Sequence, residues 1–137
     1  MKVNYESKVH WELETDYLRC TPLFHGSECY DSVLIKGANG NFFGKLLLLF
    51  SCNIGNTEYP IAFIKPLEPR VGQMSRRDKD LGLFRLRSNP QLKSEFIPVH
   101  SIIRGVMVSN DFDEHGDHFV NDLVDPDIFL RVQSMMT

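Results

Sequence analysis

The chain has 137 residues, 42% of them hydrophobic and 24% charged, and 15 Lys and Arg against 18 Asp and Glu leave a net charge of −3. That balance fits one compact domain spanning 1–137, and the longest apolar run, residues 46–50, is far short of the roughly 18 residues of a membrane span. The polar, acidic start MKVNYESKVHWELETDY has no apolar signal core, so an intracellular protein is expected, with the nucleus among its locations. Cys20, Cys29 and Cys52 are odd in number and lack C-x-x-C spacing, which points to neither a disulfide framework nor a zinc knuckle.

In chain order, residues 1–28 read as an N-terminal strand and loop. Val9, Trp11 and Leu13 alternate with His10, Glu12 and Glu14, the period of a short strand with Trp11 facing inward. TPLFHGSE, with Pro22 and Gly26, is a loop. YDSVLIK (30–36) is apolar and β-branched enough for a strand. It ends at GANGN, whose Gly and Asn tolerate the positive φ of a tight hairpin. FFGKLLLLFSC (42–52) returns as the partner strand. Its unbroken apolar centre predicts cover on both faces, with Gly44 as the bend. After NIGNTE, a third strand is expected over EYPIAFIKPL (58–67). Pro60 and Pro66 lack the N–H a ladder needs, so this strand lies at an edge or pairs only between them.

Residues 68–80 form a long charged connection. LGLFRLR (81–87) then alternates again, with Arg85 and Arg87 on one face and Phe84 and Leu86 on the other, and arginines there are expected to point away from a core. Two short apolar runs, 96–99 and 102–108, and a strand over 118–124 follow. Asp125 and Pro126 are a helix start signal, and Ile128, Phe129 and Val132 would dock the helix. Many short strands, frequent turn signals and one terminal helix predict a mostly β protein, a small antiparallel barrel or sandwich with a short C-terminal helix.

Charge is polarised along the chain. Residues 70–104 hold eight basic side chains against three acidic ones, a net of +5, whereas residues 105–137 hold seven acidic against one basic, a net of −6. The two blocks either pair internally or leave one positive face; the sequence allows both.

The order YDSVLI, GKLLLLFSCNIGNTEYPIAFIKPL, RRDKDLGLFRLR, SEFIPVHSIIRGVMV and DHFVNDLVDPDIFLRV, covering 29–133, resembles the C-terminal segment of proteins encoded by CACTA-type (Plavaka) transposons of basidiomycete fungi, with KDLGLFRLR and SIIRG its most specific parts. More loosely, the chain is similar to bromo-adjacent homology domains, chromatin-associated β-barrels. The transposase catalytic acids and zinc-finger cysteines of such polyproteins have no counterpart here, so the resemblance implies an accessory part rather than strand-transfer catalysis.

No cofactor, metal site or catalytic set is assigned. Asp111, Asp113, His115, Gly116 and Asp122 match the EF-hand loop poorly, because His115 replaces an oxygen ligand and Asp122 the bidentate Glu; they read as an acidic turn. His115, Asp117 and His118 read as a solvated edge, and Ser101 beside His100 has no nucleophile elbow. The leading expectation is a non-catalytic nucleic-acid- or chromatin-associated module contacting phosphates through Arg76, Arg77, Lys79, Arg85, Arg87 and Arg104. An alternative is a protein-interaction barrel with Tyr30, Tyr59 and Phe63 bordering a groove for a peptide or histone tail. A second alternative is a metal-dependent nuclease using Asp31, Asp78 and Asp80.

Overall fold

The computed structural model describes residues 1–18, 20–24, 27–69, 84–87, 89–110, 117–120 and 126–136. The protein is mostly β, with antiparallel pairings throughout and an α-helix at the C-terminal end. The described strands do not close into a barrel, and their order is compatible with a sandwich-like arrangement.

Strands β1 (Lys2–Glu6) and β2 (Leu13–Tyr17) form a separate hairpin, and β3 (Cys20–Phe24) pairs with β4 (Ser27–Tyr30). The main sheet begins with β5 (Ser32–Gly37), β6 (Gly40–Ile54) and β7 (Thr57–Pro69), an antiparallel meander. Its two turns are tight: Gly37 pairs with Gly40 and Ile54 with Thr57; Gly55 (φ 62°) is a loop residue of the second turn, while Gly40 (φ 120°) is the strand residue that closes the first, and both take a positive φ that glycine tolerates. Beyond β7 come β8 (Phe84–Arg87), β9 (Glu95–Pro98), a 3-10 turn (Val99–Ser101), β10 (Ile102–Val106), β11 (Val108–Asn110), β12 (Asp117–Val120) and helix α1 (Pro126–Met136).

The sheet order is β10-β5-β6-β7-β8-β12-β11, with β9 also on β7. The long β7 serves both flanks. Ile61–Ile64 pair with β9, inside the interval set by Pro60 and Pro66, while Glu68 and Pro69 pair with β8. The expectation that this strand lies at an edge or pairs only between its prolines is therefore not met, since β7 has neighbours on both sides. The pairing of β7 with β6 runs past both prolines, from Thr57 to Leu67.

The core has two parts, one on each side of β5. Val33 and Ile35 join Val3, Leu18, Leu46, Ala62, Ile64 and Ile102 on one side. Leu34 joins Phe43, Leu67, Leu86, Val120, Ile128 and Val132 on the other. Three consecutive buried residues make β5 the strand that is covered on both faces.

Several local expectations are corrected by this packing. The run 46–50 is not covered on both faces, since Leu48 and Phe50 are exposed. The irregularity in β6 is a bulge between Leu46 and Leu48, not at Gly44; Gly44 is needed because a Cβ there would come within 2.9 Å of Ile35 Cδ1. Trp11 does not face inward: it sits in the β1–β2 loop at φ 58°, with its side chain exposed. On α1, Ile128 and Val132 are buried as the period predicts, but Phe129 is exposed.

Candidate interaction surface

The alternation of β6, corrected for the bulge, puts Phe43, Lys45, Leu48, Phe50, Cys52 and Ile54 on one face. The register continues each row across the sheet: Leu48 lies beside Phe63 and Phe63 beside Phe96, Phe50 beside Ile61 and Ile61 beside Pro98, and Cys52 beside Tyr59. Phe43 and Leu67, at the near end of this face, are covered by β8, β12 and α1. The cover stops at the Lys45 and Lys65 row.

Beyond that row the face is apolar and open to solvent. Phe96 is 65% exposed, Leu48 49%, Tyr59 45% and Phe50 38%. The rings are organised rather than scattered. Phe63 stacks on Phe96 with centroids 4.7 Å apart at 29°, and Phe50 meets Phe96 edge-on at 5.9 Å and 88°. Aromatic pairs of this kind contribute about 0.5–1.5 kcal/mol beyond their area. No Asp, Glu, Lys, Arg or His occupies any row of this face from Leu48 to Ile54. A solvent-facing sheet surface ordinarily alternates to polar residues. A contiguous apolar one on the order of several hundred Å² marks a place where something docks.

Of the groove residues named from sequence, Tyr59 and Phe63 share this face. Tyr30 ends β4, in a different sheet. Leu48, Phe50 and Phe96 were missed, because an apolar run reads as core until the covering layer is known. Cys52, on the same face, is half-buried with a free thiol.

The basic residues separate differently. Arg76, Arg77 and Lys79 lie outside the described residues, as do Asp78, Asp80, Asp111, Asp113, His115, Gly116 and Asp122. Arg85, expected to point outward, is 8% exposed with its guanidinium 4.3 Å over the Phe119 ring. Arg104, expected on a phosphate surface, is 5% exposed. Its Nη1 donates to Asp127 Oδ2 at 2.8 Å, its Nε lies 3.4 Å from Asp16 Oδ2, and its guanidinium lies 4.4 Å over Tyr5. Neither side chain presents its charge to a polyanion. Arg87 is exposed, between Glu68 on β7 and the Asp117 position on β12.

Asp127 is the centre of the buried charge. Burial works to raise its pKa, but the Lys8 backbone N–H and the guanidiniums of Arg104 and Arg131 outweigh that and hold it below its ordinary value. The Tyr5 phenol, buried and donating to Glu14 Oε2 at 2.8 Å, is pushed above its ordinary value. A cleft of about 390 Å³ beside this network is lined by Asp16, Asp31, Ser32 and Arg104, with Asp16 accepting from the Gly105 N–H at 2.9 Å. Among the described residues no three His, Cys, Asp or Glu side chains are grouped to hold a metal ion. No described helix is long and apolar enough to cross a membrane.

No family model, no curated protein and no solved structure matches the chain.

Proposed function

We propose that the protein is a non-catalytic interaction module whose ligand is an uncharged, aromatic- or aliphatic-bearing segment of a partner protein, docked on the open face of β6, β7 and β9. The observation that carries this reading is the continuous apolar face from Leu48 to Tyr59 and Phe96, left bare where the covering layer ends. Its lack of Asp, Glu, Lys, Arg and His selects the ligand's chemistry, because a partner charge buried there would find no counter-charge. The stacked Phe63 and Phe96 rings supply a rigid centre of the kind that dominates docking energetics.

The phosphate-contacting reading rests on Arg87 and on Arg76, Arg77 and Lys79, because Arg85 and Arg104 are turned to internal partners. The histone tail implied by the bromo-adjacent homology likeness is one peptide to include as a ligand.

The test is selection from a random peptide display library on the wild-type protein, followed by binding of selected peptides to Phe96→Asp. Uncharged aromatic-rich peptides that bind the wild type and lose at least about tenfold on Phe96→Asp are expected. Equal binding by the variant, or no enrichment, overturns the reading. Sedimentation of the free protein reveals whether a second copy takes the face. Salt-sensitive binding of mixed-sequence DNA that Arg87→Ala abolishes would return the phosphate reading.

A further inference from the structure

A second site lies where the β1–β2 loop meets β10 and α1. The loop is held at several points. The Ser7 N–H donates to the Glu12 carbonyl at 2.8 Å, the Trp11 N–H donates to the Ser7 carbonyl at 2.9 Å, and the Val9 N–H donates to Ser7 Oγ at 3.2 Å. The Lys8 N–H donates to Asp127 Oδ1, which fixes the loop to the helix.

This bonding holds Trp11 at φ 58°, a conformation bulky side chains rarely adopt. The strain is not compensated by burial, since the indole is 66% exposed. Strain of this kind persists where the surroundings impose it, and it clusters at ligand sites. Beside Trp11 is a cleft of about 360 Å³, lined also by Tyr5, Lys8, His100 and Arg131, with Glu6 as its one carboxylate. Lys8 Nζ stands over the Trp11 ring, 5.7 Å from its centroid, so the cation caps one face of the exposed indole and a second ring would stack on the other. Arg131 is fixed by Asp127 Oδ2 at 2.7 Å and the Glu6 carbonyl at 2.8 Å, and it adds positive field without moving.

We propose that this cleft binds a planar ring of nucleobase size carrying one anionic group, the ring stacking on Trp11 and the anion facing Lys8 and His100. The volume is that of a small-ligand site. A stacking face needs no hydrogen-bond match to a particular base, so ring size and charge set the selectivity. The anion's source is either a phosphate, as on a nucleoside monophosphate, or a carboxylate on an aromatic acid.

Trp11 is the chain's one tryptophan, so its fluorescence reports the site directly. Titration with adenosine 5′-monophosphate and with nicotinate, neither of which fluoresces in the indole band, is expected to quench it saturably on red-edge excitation with at least one of the two. Which one quenches identifies the anion. Neutral adenosine and inorganic phosphate should each bind at least about tenfold more weakly, and Lys8→Ala should lose about tenfold.

Trp11→Gly, followed by calorimetry because the reporter is gone, separates site from scaffold. Glycine accepts φ 58° freely, so the variant should fold with an equal or higher melting temperature while binding falls at least about tenfold. Absence of saturable quenching by both anionic probes up to about 10 mM overturns the proposal, as does undiminished binding by Trp11→Gly.

Discussion

Arg104 Nη1 and Asp127 Oδ2 are 2.8 Å apart and both side chains are buried, so one ion pair ties β10 to α1 across 23 positions of sequence. Around it, Asp127 takes the Lys8 N–H and Arg131, while Asp16 approaches Arg104 from β2. A single carboxylate therefore joins the N-terminal hairpin, the sheet and the helix. It also joins the basic block, 70–104, to the acidic block, 105–137, through Arg104 and Asp127.

Replacement of Asp127 by Ala leaves the Arg104 guanidinium buried with a main partner gone. Breaking a buried pair from one side costs about 3–5 kcal/mol, and denaturant unfolding of Asp127→Ala should show a loss on that scale. A loss near zero would mean that solvent reaches Arg104 freely.

The same pair makes stability depend on acid. The Asp127 carboxyl is held below its ordinary value of 3.8 in the folded state, so its stabilisation is fully present above that value. It is lost as pH falls through the folded-state value. Unfolding midpoints measured from pH 6 downward should therefore drop below about pH 4 in the wild type. Asp127→Asn should lack this component of the slope.

Gly44 and Ile35 make a tightly apposed pair across β6 and β5. A methyl at Gly44 would meet Ile35 Cδ1 at 2.9 Å, so Gly44→Ala should destabilise the fold by about 1–3 kcal/mol through overpacking. Ile35→Val removes the clashing atom. The double variant should be more stable than additivity predicts, which a double-mutant cycle measures directly.

The open and closed faces of β6 should respond oppositely to truncation. Leu46 is fully buried, and Leu46→Ala should cost about 2–5 kcal/mol. Leu48→Ala, two residues on but across the bulge, should cost under about 1 kcal/mol while weakening the docked ligand. Comparable thermal losses in both would contradict the exposure of this face.

Arg85 should behave as a packing residue. Arg85→Ala removes the guanidinium from the Phe119 ring and should cost about 1–2 kcal/mol of stability. It should leave the salt dependence of any DNA binding unchanged, whereas Arg87→Ala, at an exposed position, is the substitution that lowers that slope.

The meander was legible because its signals are local. GANG and IGNT carry the residues that positive-φ turns demand, and the strands between them are set by where those turns fall. The hairpin of β1 and β2 was not legible, and the loop expected over 21–28 is instead largely β3 and β4. Val3 and Tyr5 face the core, but Leu13 and Tyr17 are exposed, so no clean alternation marks the strands. The strand reading of residues 9–14 failed because hydrogen bonds centred on Ser7 turn the chain there.

The candidate face was legible only as composition. Tyr59 and Phe63 are visible as aromatics on a strand, yet Leu48, Phe50 and Phe96 become a surface only because α1, β8 and β12 reach Phe43 and go no further. Arg85 and Arg104 show the converse. Charged residues on a strand read as solvent-facing, and what turns them inward is a ring from β12 and a carboxylate from α1, both distant in sequence.

By itself, then, the sequence determined the β class, the two tight hairpins and a C-terminal helix that buries Ile128 and Val132, because φ preference and periodicity act over a few residues. Tertiary structure alone decided which apolar face lies bare, which arginines are paired and where Trp11 points. Those outcomes depend on how far one layer extends over another, and on partners that only folding brings within a few ångströms.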